Sequence, residues 1–142
     1  MRVVLDTSVI VAGLRSPSGA AAELLRRVLA GELEAAATTA LLLEYEAVVM
    51  RPEHLRAAAL SRLDAMVVID ALAGAMREVS IRWRMRPASP DPGDDLVVEA
   101  AVNAGVDILV TFNRRDLDAV CASAGIRTTT PAVLLLQLGR SQ

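Results

Sequence analysis

Lysine is missing from this chain. All 15 basic residues are arginine, so no glycine-rich loop ends in the lysine that a P-loop nucleotide site requires. Cysteine is almost missing: Cys121 stands alone, which excludes an internal disulfide framework or a cysteine-built zinc site and fits a reducing cytoplasm. The sole histidine, His54, follows "RPE" between two helical stretches and reads as a surface or boundary residue rather than a ligand. Aromatics are limited to Tyr45, Trp83 and Phe112, too few for a platform that stacks successive bases of a single strand. Apolar runs such as 40–43 and 132–136 are far too short to cross a bilayer. The N-terminus lacks a basic region followed by an apolar one, so no secretory signal is expected. Net charge is only −2, and the whole-molecule field does not by itself attract nucleic acid.

What is present suits one globular domain over residues 1–142, with 54% apolar and 23% charged residues. Residues 2–5 read as a short buried strand, and apolar character resumes over 9–13 beyond Asp6. Gly13, Pro17, Ser18 and Gly19 mark 13–19 as a turn region. Residues 20–30 have helical periodicity (Ala21, Leu24, Leu25, Val28, Leu29) that stops at Gly31. A second short strand is expected at 34–37. Thr38 or Thr39 caps a helix carrying Leu41, Leu42, Tyr45, Val48 and Val49 as far as Arg51 and Pro52. Residues 53–77 read as one or two helices. Residues 79–85 alternate strictly, Val79, Ile81, Trp83 and Met85 against Ser80, Arg82, Arg84 and Arg86, which predicts a strand with one wet face.

"PASPDPGDD" is the clearest loop, and it leads into a helix over 95–104 that ends at Gly105. A strand at 107–110, a helix over about 116–124, a last strand at 126–128 and a helix opened by Pro131 complete the chain. Strands therefore alternate with helices from end to end. The expected fold is α/β, with a mainly parallel central sheet and helices on both faces.

Ligands of such sheets gather beyond the carboxyl ends of the strands, where strand order reverses. The polar residues expected there are Asp6 after the first strand, Glu44 in the helix after the second, Asp94, Asp95 and Glu99 on the helix after the loop, and Asn113 and Asp116 after "DILV". Capping and the helix dipole account for acids in a first helical turn, such as Asp94, Asp95 and Asp116. Asp6 is different. It lies between "VVL" and "VIVA", and a buried carboxylate demands a partner. With no lysine and no obvious arginine nearby in sequence, a cation shared by several acids answers that demand. Oxygen-only ligands, including the hydroxyls of Thr7 and Ser8, favour Mg²⁺ or Mn²⁺ over zinc.

"VVLDTSVIVAGL", "TALLLEYEAVV", "DPGDDLVVEAAVNAGVDILVTFNRRDL" and "GIRTTTPAVLLL", in that order and spacing, resemble a PIN domain, the fold of many VapC-type ribonuclease toxins. The resemblance implies a three-layer α/β/α domain and a Mg²⁺- or Mn²⁺-dependent endoribonuclease that leaves 5′-phosphate and 3′-hydroxyl ends. It implies catalytic and metal-binding roles for Asp6, Glu44 and Asp95, with Asp94 competing for the third position, and supporting roles for Thr7, Ser8 and Thr111. Many relatives carry Asp where this chain has Asn113, so the fourth ligand is either Asp116 or the neutral Asn113. A small antitoxin protein and a second copy in a homodimer are the partners that the resemblance implies, in the cytoplasm and without a membrane.

RNA approaching such an acidic site needs cations. The candidates are Arg15, Arg114 and Arg115; Arg82, Arg84 and Arg86 form a second set that a solvated strand face explains better. Haloacid-dehalogenase-like phosphatases need an Asp where Ser8 stands and a later Lys, and response-regulator receivers need a Lys and an acidic pair. The alternative from another class is a catalytically silent PIN-like module that binds RNA or protein.

Overall fold

A computed structural model of the chain describes residues 1–84 and 92–140. Its elements are β1 (Arg2–Leu5), α1 (Thr7–Arg15), α2 (Ala20–Leu29), β2 (Glu34–Ala37), α3 (Thr39–Val49), α4 (Pro52–Ala58), α5 (Arg62–Ala75), β3 (Arg77–Glu78), α6 (Pro92–Ala104), β4 (Ile108–Val110), α7 (Arg114–Ser123), β5 (Arg127–Thr129) and α8 (Pro131–Arg140). The strands form one parallel sheet in the order β3-β2-β1-β4-β5, flanked by helices.

Central strands of such a sheet are covered on both faces and therefore read as continuous apolar runs. Val3, Val4 and Leu5, Ala35, Ala36 and Ala37, and Ile108, Leu109 and Val110 are accordingly buried. Strand order reverses between β1, which leads to β2 on one side, and β4 on the other. Both strands end at the same level: Leu5 pairs with Val110, and the Asp6 amide donates to the Val110 carbonyl at 2.8 Å. Asp6 and Thr111 thus leave the sheet side by side at the switch point.

Two local expectations are corrected. The segment around Gly13 is helix rather than the start of a turn. Gly13 leaves room for α2: a Cβ there would sit 2.5 Å from Leu25 Cδ1 and would make that side chain shift. The alternating segment is not a strand either. The edge strand is only Arg77–Glu78, with one further bond from the Val79 amide to the Ala37 carbonyl. Beyond it β2 has already turned into α3. The backbone of Arg82 and Trp83 is instead bonded by the side chain of Asn103, whose oxygen accepts from both amides while its nitrogen donates to the Trp83 carbonyl. Met85, Arg86 and most of the "PASPDPGDD" loop lie outside the described residues. No helix among the described residues is long and apolar enough to cross a membrane.

Candidate active site

Asp6 is buried, and its position is fixed from three directions. Ser8, in the first turn of α1, donates to Asp6 Oδ2 at 2.6 Å, and Thr111, directly after β4, donates to the same oxygen at 2.7 Å. Thr111 Oγ1 in turn accepts from the Asn113 amide at 2.9 Å, and Ser8 Oγ accepts from the Phe112 amide. These bonds join the ends of β1 and β4 into one polar unit. From α3, the buried hydroxyl of Tyr45 donates to the Leu5 carbonyl, the last one before Asp6. Burial, reinforced by the nearby Asp6 carboxylate, pushes the Tyr45 hydroxyl far above its ordinary value, so it remains a proton donor.

A cleft of about 680 Å³ opens over this unit. Asp6, Thr7, Ser8, Glu44, Asp94 and Asn113 all line it, so β1, α3, α6 and the β4 exit each supply an oxygen ligand or its support. Asp95 is buried beside Asp94 but does not line the cleft, and Glu99 is fully buried one turn further along α6. Asp116 is exposed in the first turn of α7, also outside the lining.

Of the predicted RNA-contacting arginines, Arg15 lines the cleft. Arg114 turns toward β5 and donates to Thr128 Oγ1 at 3.3 Å, and Arg115 is exposed outside the cleft. Arg82 and Arg84 are exposed, and neither lines the cleft. Three residues that sequence reasoning passed over do line it: Arg51, His54 and Phe112, whose ring is 52% exposed. "RPEH" offered a signal only if its turn was taken to face the acids.

A model of the PIN domain family matches residues 2–115. The chain belongs to the PIN domain family. A search of curated proteins finds no match. The PIN domain is a nuclease-type fold that usually works with divalent metals. In this PIN domain the chemistry of the cleft fits such an ion. Among the described residues no arginine lies within ion-pair distance of Asp6 or Glu44. Both donated hydroxyls fall on Asp6 Oδ2, and the Asp6 carboxylate lines the cleft. Among the described residues no three carboxylate, imidazole or thiol groups already converge on one point, so holding an ion requires side chains to swing inward, as like charges do only around a cation.

Proposed function

We propose that this PIN domain is a divalent-cation-dependent endoribonuclease, and that it acts in the cytoplasm as the toxin of a toxin–antitoxin pair. The observation that carries the reading is the sharing of one cleft, at the sheet's switch point, by the carboxylates of Asp6, Glu44 and Asp94. Asp6, Glu44 and Asp94 would hold Mg²⁺ or Mn²⁺, with Asn113 as a neutral oxygen donor. The cleft favours Asp94 over Asp95 and Asn113 over Asp116. The bound ion supplies a lowered pKa for a water and positive charge against the phosphate oxygens.

The chain's own residues do the rest. Ser8 and Thr111 hold one oxygen of Asp6, which fixes the orientation of its carboxylate at the cleft. Tyr45 ties the helix bearing Glu44 to the strand end bearing Asp6, which limits how far the two acids drift apart. Phe112 offers one exposed ring at the lip, room for a single base rather than a run of them. Hydrolysis joins water oxygen to phosphorus and releases the 3′ oxygen. No side-chain nucleophile or histidine base is required, and the cleft offers no cysteine.

The test is cleavage of mixed RNA by purified protein with Mn²⁺. Cleavage that vanishes with chelator and in Asp6→Asn supports the reading; cleavage equal in Asp6→Asn and the parent assigns it to a contaminant. A homodimer and a small antitoxin encoded next to this chain extend the reading, tested by whether the neighbouring short gene relieves growth arrest when both are expressed. The second reading, a silent module that binds RNA or protein, is favoured by one residue: Asn113 brings no charge where many relatives bring a carboxylate. Metal-independent RNA binding without cleavage would select it.

A further inference from the structure

The cleft has a second end. Its lining follows one face of α1 through Thr7, Ser8, Val11, Ala12, Arg15 and Ser16, and one face of the α3 region through Glu44, Val48 and Arg51. Both are stripes of helical spacing, so the cleft is a groove running lengthwise along two helices. Eight residues separate Thr7 from Arg15, a rise of about 12 Å, and seven separate Glu44 from Arg51, about 10 Å. The acids stand at the sheet end and the arginines at the far end, with Val11, Ala12 and Val48 between them.

The far end is built rather than incidental. Pro52 holds Arg51 in extended backbone (φ −62°, ψ 135°). The Arg51 carbonyl then accepts from the amides of His54 and Leu55 at 3.0 and 3.1 Å. This turn carries Arg51 and His54 on the wall that Arg15 also reaches. Five other arginines are engaged, Arg2 and Arg77 with Glu34, Arg26 and Arg27 with Glu23 and Arg114 with Thr128, whereas Arg56, Arg62, Arg82, Arg84, Arg115 and Arg127 lie outside the groove. Arg15 and Arg51 have no acidic partner among the described residues, although carboxylates line the same groove.

We propose that Arg15, Arg51 and His54 form a backbone-phosphate subsite, which grips the RNA strand more than one nucleotide away from the phosphate held at Asp6. Guanidinium forks match phosphate oxygens, and an imidazole adds an N–H donor. An apolar floor between the two ends suits the sugars and bases of the intervening nucleotide. The proposal depends on the ribonuclease reading for its ligand, RNA, but not for any step of cleavage. It also answers how a chain of net charge −2 holds a polyanion beside its own acids.

The experiment is fluorescence anisotropy of a labelled single-stranded RNA 12-mer, with chelator present, across a series of salt concentrations. Parent, Arg15→Ala/Arg51→Ala, Arg15→Lys/Arg51→Lys and Arg56→Ala are compared, each checked by its melting temperature. Arg56 is exposed on α4 outside the groove and serves as the control. For single strands each phosphate contact contributes about 0.7 to the slope of log affinity against log salt, so the double alanine variant should lose about 1.4 of slope. Its affinity at low salt should fall about tenfold or more, while the lysine variant keeps most of the slope and Arg56→Ala keeps all of it. An unchanged slope in the double alanine variant, or no binding by the parent even at low salt, overturns the subsite. Cleavage with Mn²⁺ is scored separately. A lost slope without any cleavage retains the subsite and removes the nuclease, and an unchanged slope with cleavage dependent on Asp6 does the reverse.

Discussion

Replacing Tyr45 by Phe removes one oxygen from a side chain that is 1% exposed and leaves the ring in place. No cavity of note is created, so the cost is that of a buried carbonyl, Leu5 O, losing a donor. That is about 1–3 kcal/mol. With a urea m-value of about 2 kcal/mol per molar for a domain of this size, the midpoint should fall by about 0.5–1.5 M without a change in m. The bond also joins α3 to the strand end that carries Asp6, so cleavage should fall more than stability alone explains. Ile69→Val provides the comparison: it lies in α5, away from the cleft, and costs about 0.5–1.5 kcal/mol. Tyr45→Phe should lose cleavage at temperatures where both variants are fully folded, and Ile69→Val should not. A midpoint within about 0.2 M of the parent would mean that the Leu5 carbonyl is satisfied without Tyr45, and the reasoning would fail.

Asp94→Asn should lower Mn²⁺-dependent cleavage by about a hundredfold or more and Asp95→Asn much less, because only Asp94 lines the cleft; the reverse order in a gel assay would reassign the third acid. Phe112→Ala should weaken binding of single-stranded RNA about tenfold and Phe112→Trp should not, since stacking is worth about 1–3 kcal/mol per base; equal anisotropy curves would leave the exposed ring without a role. The Cys121 thiol is pushed up to about 11 by burial, with the Asp118 and Asp94 carboxylates adding to it. A raised folded-state value keeps the native thiol protonated after the unfolded one has begun to ionise. Stability from this group is therefore complete below pH 9 and is lost as pH rises toward 11. Tyr45, shifted in the same direction, adds to the loss at higher pH. Urea midpoints that hold steady from pH 8 to about pH 10.5 would contradict both assignments.

Much of the scaffold was legible because its signals are local. "VVLD" reads as strand then acid because a strand covered on both faces must be apolar throughout, and Thr38 announces α3 because its hydroxyl accepts from the Leu41 amide. Gly31, Gly105 and Gly125 mark helix ends because each adopts positive φ. What failed depended on partners distant in sequence. Gly13 looked like a breaker until Leu25 was found against it, and 79–85 alternated like a strand with no strand left to pair with. Asp94 and Asp95 differ by about 100° around one helix, so which one faces Asp6 is decided by how α6 packs on the sheet. Arg51 and His54 enter the site only because α4 and the turn before it pack against α1, which no spacing in the sequence reports.

The central claim is that Asp6, Glu44 and Asp94 share one divalent cation. Anomalous scattering from crystals soaked in Mn²⁺ tests it directly. The account predicts a peak within coordination distance of the Asp6 carboxylate and of at least one of the other two, absent from Asp6→Asn crystals grown in the same way. A soak that labels other sites and leaves this cleft without a peak, or a peak that persists in Asp6→Asn, would contradict it.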